Sequence, residues 1–114
     1  MSNIQVSEVT VIPVKPKKGL LGFCTFVLND AFFIRDVAIY NTLSNEYGIR
    51  LVYPGRRSSS GDILNTVHPI NRSADEAVLK EVAKEFERVI TKIKRSETEN
   101  FEGVLSNEEK EKRD

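Results

Sequence analysis

Two hydrophobic periods divide the chain. Through the first half, apolar and polar residues mix in short runs of β-branched character; later, apolar residues recur at three- and four-residue steps. In IQVSEVTVIPV (residues 4–14), Val9, Val11 and Val14 stand around polar positions, as a strand with one buried face requires. Pro13 lacks a ladder donor and predicts an edge strand or a strand end. KPKKG (Lys15–Gly19) reads as a basic turn. LLGFCTFVL (20–28) and FFIRDVAIY (32–40) flank Asn29-Asp30, a tight-reversal pair, and predict a hairpin. NTLSNEYG reads as a loop, IRLVYP (49–54) as the next strand, and DILNTV (62–67) as a short one after it.

Beyond residue 75 the period changes. Leu79, Val82, Phe86, Ile90 and Ile93, with Val78 and Val89 beside them, share one arc of a helix. Lys80, Lys84, Arg88, Lys92 and Arg95 fall on the opposite arc, where Glu81 and Glu85 make a mixed solvated face the simpler reading. Ser73 three residues before Glu76 is a capping-box spacing and predicts the helix start. From residue 96, apolar content falls and charge rises, so a disordered or frayed tail is expected. Strands followed by one helix predict an α+β fold: a small antiparallel β-sheet followed by one long C-terminal α-helix packed on one face. Residues 1–95 would form a single domain and 96–114 an acidic flexible tail.

Charge changes the picture more than composition does. The 114 residues carry 17 acids and 17 bases. Seven of those acids and three of the bases lie in residues 96–114, leaving 14 bases and 10 acids before them. A basic body with an acidic tail hides behind a neutral total, and the body is the part suited to a polyanion. The start MSNIQVSEV has no secretory pattern, and no apolar run approaches the ~20 residues that span a bilayer. With one cysteine, Cys24, there is no internal disulfide, so a cytoplasmic location is expected.

Catalytic patterns are thin. His68 is the one histidine, and Cys24 within LLGFCTFVL reads as a small buried hydrophobe rather than a nucleophile. One histidine and one cysteine fall short of a zinc set. The Gly55–Gly61 segment has no Gly-Lys-Ser/Thr and opens no helix, so it is not a phosphate loop of that type. Pro69 fixes its own φ and holds His68 extended, which suits a structural turn from strand to helix.

The remaining candidate is YPGRRSSSGD. Taken alone, it reads equally as a permissive surface turn or as a phosphate grip on a flexible loop. In the second reading Arg56 and Arg57 supply paired donors, while Ser58 and Ser59 add uncharged ones. Lys15, Lys17, Lys18 and Arg72 would extend that surface if the sheet brought their turns together.

With these residues in view, the chain resembles the stage V sporulation protein G family, the SpoVG septation regulators, from about Phe33 to Val89. The resemblance rests on YPGRRSSSGDILNTVHPINRS followed by ADEAVLKEVAKEF, and on FIRDVAIYN before it. It implies a small α+β fold that tends to dimerise, and regulators that bind DNA and RNA without enzymatic activity or cofactor. It places the family's basic-Arg pair on Arg56 and Arg57, and its His-Pro-Ile-Asn on His68, Pro69, Ile70 and Asn71. Ser58-Ser59-Ser60 replaces the usual polar turn with a proline, which bears on target preference.

Together these readings predict a homodimeric nucleic-acid-binding regulator with no membrane segment and no small-molecule substrate. The rival is a protein–protein adaptor that meets an acidic partner through the sheet edge or the arginine loop. A small hydrolase built on His68 or Cys24 is a distant third.

Overall fold

The structure, a computed structural model, describes the backbone of residues 3–113 and the side chains of residues 3–96. Strands β1 (Val6–Lys17), β2 (Leu20–Leu28), β3 (Phe32–Asn41) and β4 (Ile49–Val52) form an antiparallel sheet in the order β1-β2-β3-β4. A second, two-stranded sheet pairs β5 (Gly55–Arg57) with β6 (Ile63–Asn65). Helix α1 spans Arg72–Arg113. The α+β architecture read from the sequence is the one observed.

Local chemistry explains the meander. Asn29 and Asp30 both take positive φ (51° each), and the Ala31 amide donates to the Leu28 carbonyl at 2.9 Å. Positive φ at both central residues is the reversal whose twist matches that of paired strands. Lys18 (53°) and Gly19 (87°) repeat the device, so β1 runs on through Lys17 and the basic turn shrinks to two residues.

One face of the sheet packs under α1. Val11, Cys24, Phe26, Val37, Ile39 and Ile49 meet Val78, Leu79 and Val82 of the helix in the core. Phe26, Val37, Ile39 and Val82 are fully enclosed. Removing each such side chain from water contributes about 1.5–3 kcal/mol. The helical period is the stripe that packs on the core as far as Val89, whereas Ile93, expected on the same arc, is 38% exposed.

The helix begins two residues earlier than the capping box suggests. Asn71 Oδ1 accepts the Ala74 amide at 2.8 Å, so Asn71 is the N-cap and Ser73 already lies inside the first turn. Glu76 pairs instead with Arg72, at 3.0 Å. Asparagine caps as well as serine does, and it follows the turn that Pro69 sets. α1 carries the backbone on through Arg113, where the sequence leads one to expect a disordered or frayed tail; the side chains from residue 97 onward lie outside the described residues.

Candidate nucleic-acid interface

The arginines sit on a ribbon, not on a loop. Pro54 ends the β4 ladder, and the Thr66 amide and hydroxyl both donate to its carbonyl (2.9 and 3.0 Å), closing the ribbon's stem. Gly55 faces Asn65, and a Cβ there would stand 2.5 Å from the Leu64 carbonyl oxygen, so the strands approach this closely only at glycine. At the tip the Ser58 amide donates to Asp62 O (2.7 Å) and the Gly61 amide to Ser58 O (3.0 Å). Gly61 at φ +92° completes this turn, in a region that L side chains rarely adopt. The flexible loop read from the sequence is therefore a short hairpin with a five-residue tip, because the backbone groups of Gly55–Arg57 find partners in Ile63–Asn65.

The ribbon separates the two guanidinium groups. Arg56 stands opposite Leu64 and Arg57 opposite Ile63, and neighbours along a strand point to opposite faces. All six residues of β5 and β6 are exposed. Arg57 Nη1 donates to the Gly61 carbonyl at a long 3.4 Å, whereas Arg56 has no hydrogen-bond or ion-pair partner among the described residues. The nearby acid, Asp62, accepts the Ser60 hydroxyl at 3.2 Å, and Ser58 and Ser60 share a hydroxyl contact of 2.8 Å. Neither arginine is tied to a carboxylate. Ser59 is exposed at the very tip.

The other predicted site residues scatter. His68 is exposed, and its Nδ1 lies 2.9 Å from the Pro69 carbonyl. A carbonyl only accepts, so that nitrogen carries the proton. Asn71 caps α1, and Arg72 opens it in an exposed pair with Glu76. Lys15, Lys17 and Lys18 lie at the other end of the sheet. Lys17 pairs with Leu20, Leu20 with Tyr40, and Tyr40 with Arg50, while β4 runs away from that end toward Val52 and the ribbon. The sheet thus joins the lysines to Arg50, not to Arg56 and Arg57.

Cys24 and His68 make no catalytic pair. Cys24 is 1% exposed beneath the helix, and burial pushes its thiol up to about 12. Among the described residues, no group of three or more His, Cys, Asp or Glu side chains could hold a metal ion. Beside the helix start is a cleft of about 520 Å³, lined chiefly by apolar residues such as Ile4, Leu28, Ile34, Val67 and Pro69. Tyr53 also lines it, with its hydroxyl enclosed and unpartnered; burial first, then the Asp75 charge, then Cys24, raise its pKa.

Sequence reading missed Tyr40 and Phe33, whose rings carry the guanidinium groups of Arg50 (4.8 Å) and Arg35 (5.3 Å). The two-residue repeat of FFIRDVAIY pairs Phe33 with Arg35 but separates them from Tyr40. Between them lies a bulge opposite Thr25, with Asp36 at φ 62°, and it moves the strand by one position.

These features define a class: a four-stranded antiparallel sheet backed by one helix, with a small basic ribbon projected just before that helix. The family profile that matches, over residues 4–88, is SpoVG, and the chain belongs to that family. It is similar to SpoVG proteins whose names tie them to septation. That of Treponema denticola is 26% identical over 85 residues, covering 75% of this chain and 88% of its own. That of Caldicellulosiruptor bescii is 23% identical over 88 residues, covering 77% and 97%. That of Clostridium kluyveri is 23% identical over 101 residues, covering 89% and 98%.

Proposed function

We propose that this SpoVG-family chain is a cytoplasmic, non-enzymatic regulator tied to septation that binds nucleic acid, DNA foremost and RNA as well, through the β5–β6 ribbon. One observation carries the reading: every residue of β5 and β6 is exposed, and neither arginine is neutralised by a carboxylate. A two-stranded ribbon fits the major groove of duplex DNA. Entering tip first, it turns Arg56 toward one groove wall and Arg57 toward the other, while Ser58 and Ser59 donate to phosphate oxygens. The weak bond from Arg57 to Gly61 yields readily to a charged acceptor. Arg72 stands at the helix N-terminus as an auxiliary cation.

Such a ribbon is a small site, and two copies on one duplex would multiply its effect through local concentration. A second subunit would dock at the apolar cleft beside the helix start, where Ile70 stands 86% exposed.

Binding of a labelled duplex by wild type and by Arg56→Ala/Arg57→Ala, each at two salt concentrations, tests the reading. Every phosphate deprived of its arginine flattens the log–log salt dependence by about 0.9. Equal affinity and equal slope in the two proteins would take the ribbon out of the interface.

A further inference from the structure

The face of the sheet turned away from α1 bears an arrangement that the ribbon does not use. Strand register sets Phe23 and Ala38 in one row between Ile12 and Val52, and Tyr40 beside Arg50 in another. Phe33, opposite Val27, continues the same face. Phe33 is 60% exposed and Phe23 37%. The guanidinium of Arg50 lies 4.8 Å from the centre of the Tyr40 ring, and that of Arg35 lies 5.3 Å from that of Phe33.

We infer that this open face binds single-stranded nucleic acid, with bases stacked on Phe23, Phe33 and Tyr40 and phosphates met by Arg35 and Arg50. The inference rests on the proposed function for the chemical class of ligand, and it concerns a different surface and a different strand state. Unpaired bases stack on aromatic rings and on guanidinium planes, and an open four-stranded sheet holds such rings fixed. Bases inside a duplex are already stacked on one another, so the platform selects unpaired strands.

Charge decides between a strand and a protein. Among the described residues, the register-paired positions of this face include no acid, although Asp36 sits in the bulge beside Arg35. A second copy laid face to face would bring the same guanidinium groups with no carboxylate row to receive them. A polyanion with flat bases satisfies both the cations and the rings.

The test uses the full-length chain and a fluorescein-labelled oligothymidylate, with labelled duplex as the second probe. Phe33→Leu keeps apolar bulk but loses the ring, and Phe33→Tyr keeps the ring. Loss of one stacked base should weaken single-strand binding about fivefold or more in Phe33→Leu, with Phe33→Tyr near wild type. Arg50→Ala should weaken it too, while Phe33→Leu and Arg50→Ala bind duplex like wild type. The inference is overturned if wild type does not bind the oligothymidylate, or if Phe33→Leu binds it as wild type does. It is equally overturned if Phe33→Leu changes only the sedimentation coefficient, which would make this face a contact between copies. Failure of duplex binding in wild type, with single-strand binding intact, would instead remove the ribbon's role alone.

Discussion

Cys24 lies on β2 opposite Val11 and Val37, and burial alone raises its thiol from 9.0 to about 12. The folded protein holds this proton where an unfolded chain has released it. Its contribution to stability is therefore complete below pH 9 and is lost as pH climbs from there toward 12. Tyr53 shifts in the same direction from 10.0, so the interval from pH 9 to 10 isolates the cysteine. Thermal melts should show wild type losing Tm across that interval and Cys24→Ala losing less of it. Parallel pH profiles would mean that the thiol titrates normally, and that the core at β2 is open to solvent. The same burial forbids the nucleophile role that a cysteine and a histidine in one short chain invite.

Among elements, the ribbon and the helix cap each permit a clean separation of conformation from chemistry. Gly55→Ala sets a Cβ 2.5 Å from the Leu64 carbonyl oxygen and 2.9 Å from the Asn65 Cα, so β5 and β6 must part while both arginines remain. Duplex binding should weaken by roughly tenfold, equivalent to ~1.4 kcal/mol. Tm should stay close to wild type, because the ribbon's residues are exposed and contribute little to the core. Unchanged binding would show that charge alone, in any conformation, suffices. At the helix start, Asn71→Ala should cost about 1 kcal/mol in urea unfolding. Ser73→Ala should cost within ~0.5 kcal/mol, as a surface change does. The reverse order would restore Ser73 as the cap. These elements also mark what the sequence disclosed. The meander and the buried helix stripe were legible, because Asn29-Asp30 and the steps from Val78 to Ile90 each carry their own geometry. The faces of β1 and β3 were not. Bulges at Glu8 (φ 49°) and Asp36 (φ 62°) each insert a residue, so alternation counted across them assigns Ser7 and Phe33 to the wrong side. Nor could any local pattern reveal that Lys15–Lys18 and Arg56–Arg57 end up at opposite ends of the sheet.

For the whole molecule, charge is distributed along the chain more unevenly than its neutral total suggests. The body through residue 95 has four more bases than acids, and the segment after it has four more acids than bases. An acidic segment tethered to the same chain and reaching the ribbon would compete there with a polyanion at a local concentration that dilution does not reduce. Glutamine in place of Glu97, Glu99 and Glu102 removes three of those negative charges while keeping side-chain length and helix preference. Duplex affinity of the triple variant should exceed that of wild type severalfold near 0.01 M salt, where screening reaches ~30 Å. The gap should close toward 1 M salt, where the screening length is ~3 Å. Matching affinities at low salt would mean that the acidic segment stays clear of the bound strand. A gap that persists at high salt would point to a contact of shape rather than of charge. Sedimentation of both proteins without nucleic acid supplies the control, since a change in subunit number would alter the count of ribbons and imitate the same gain.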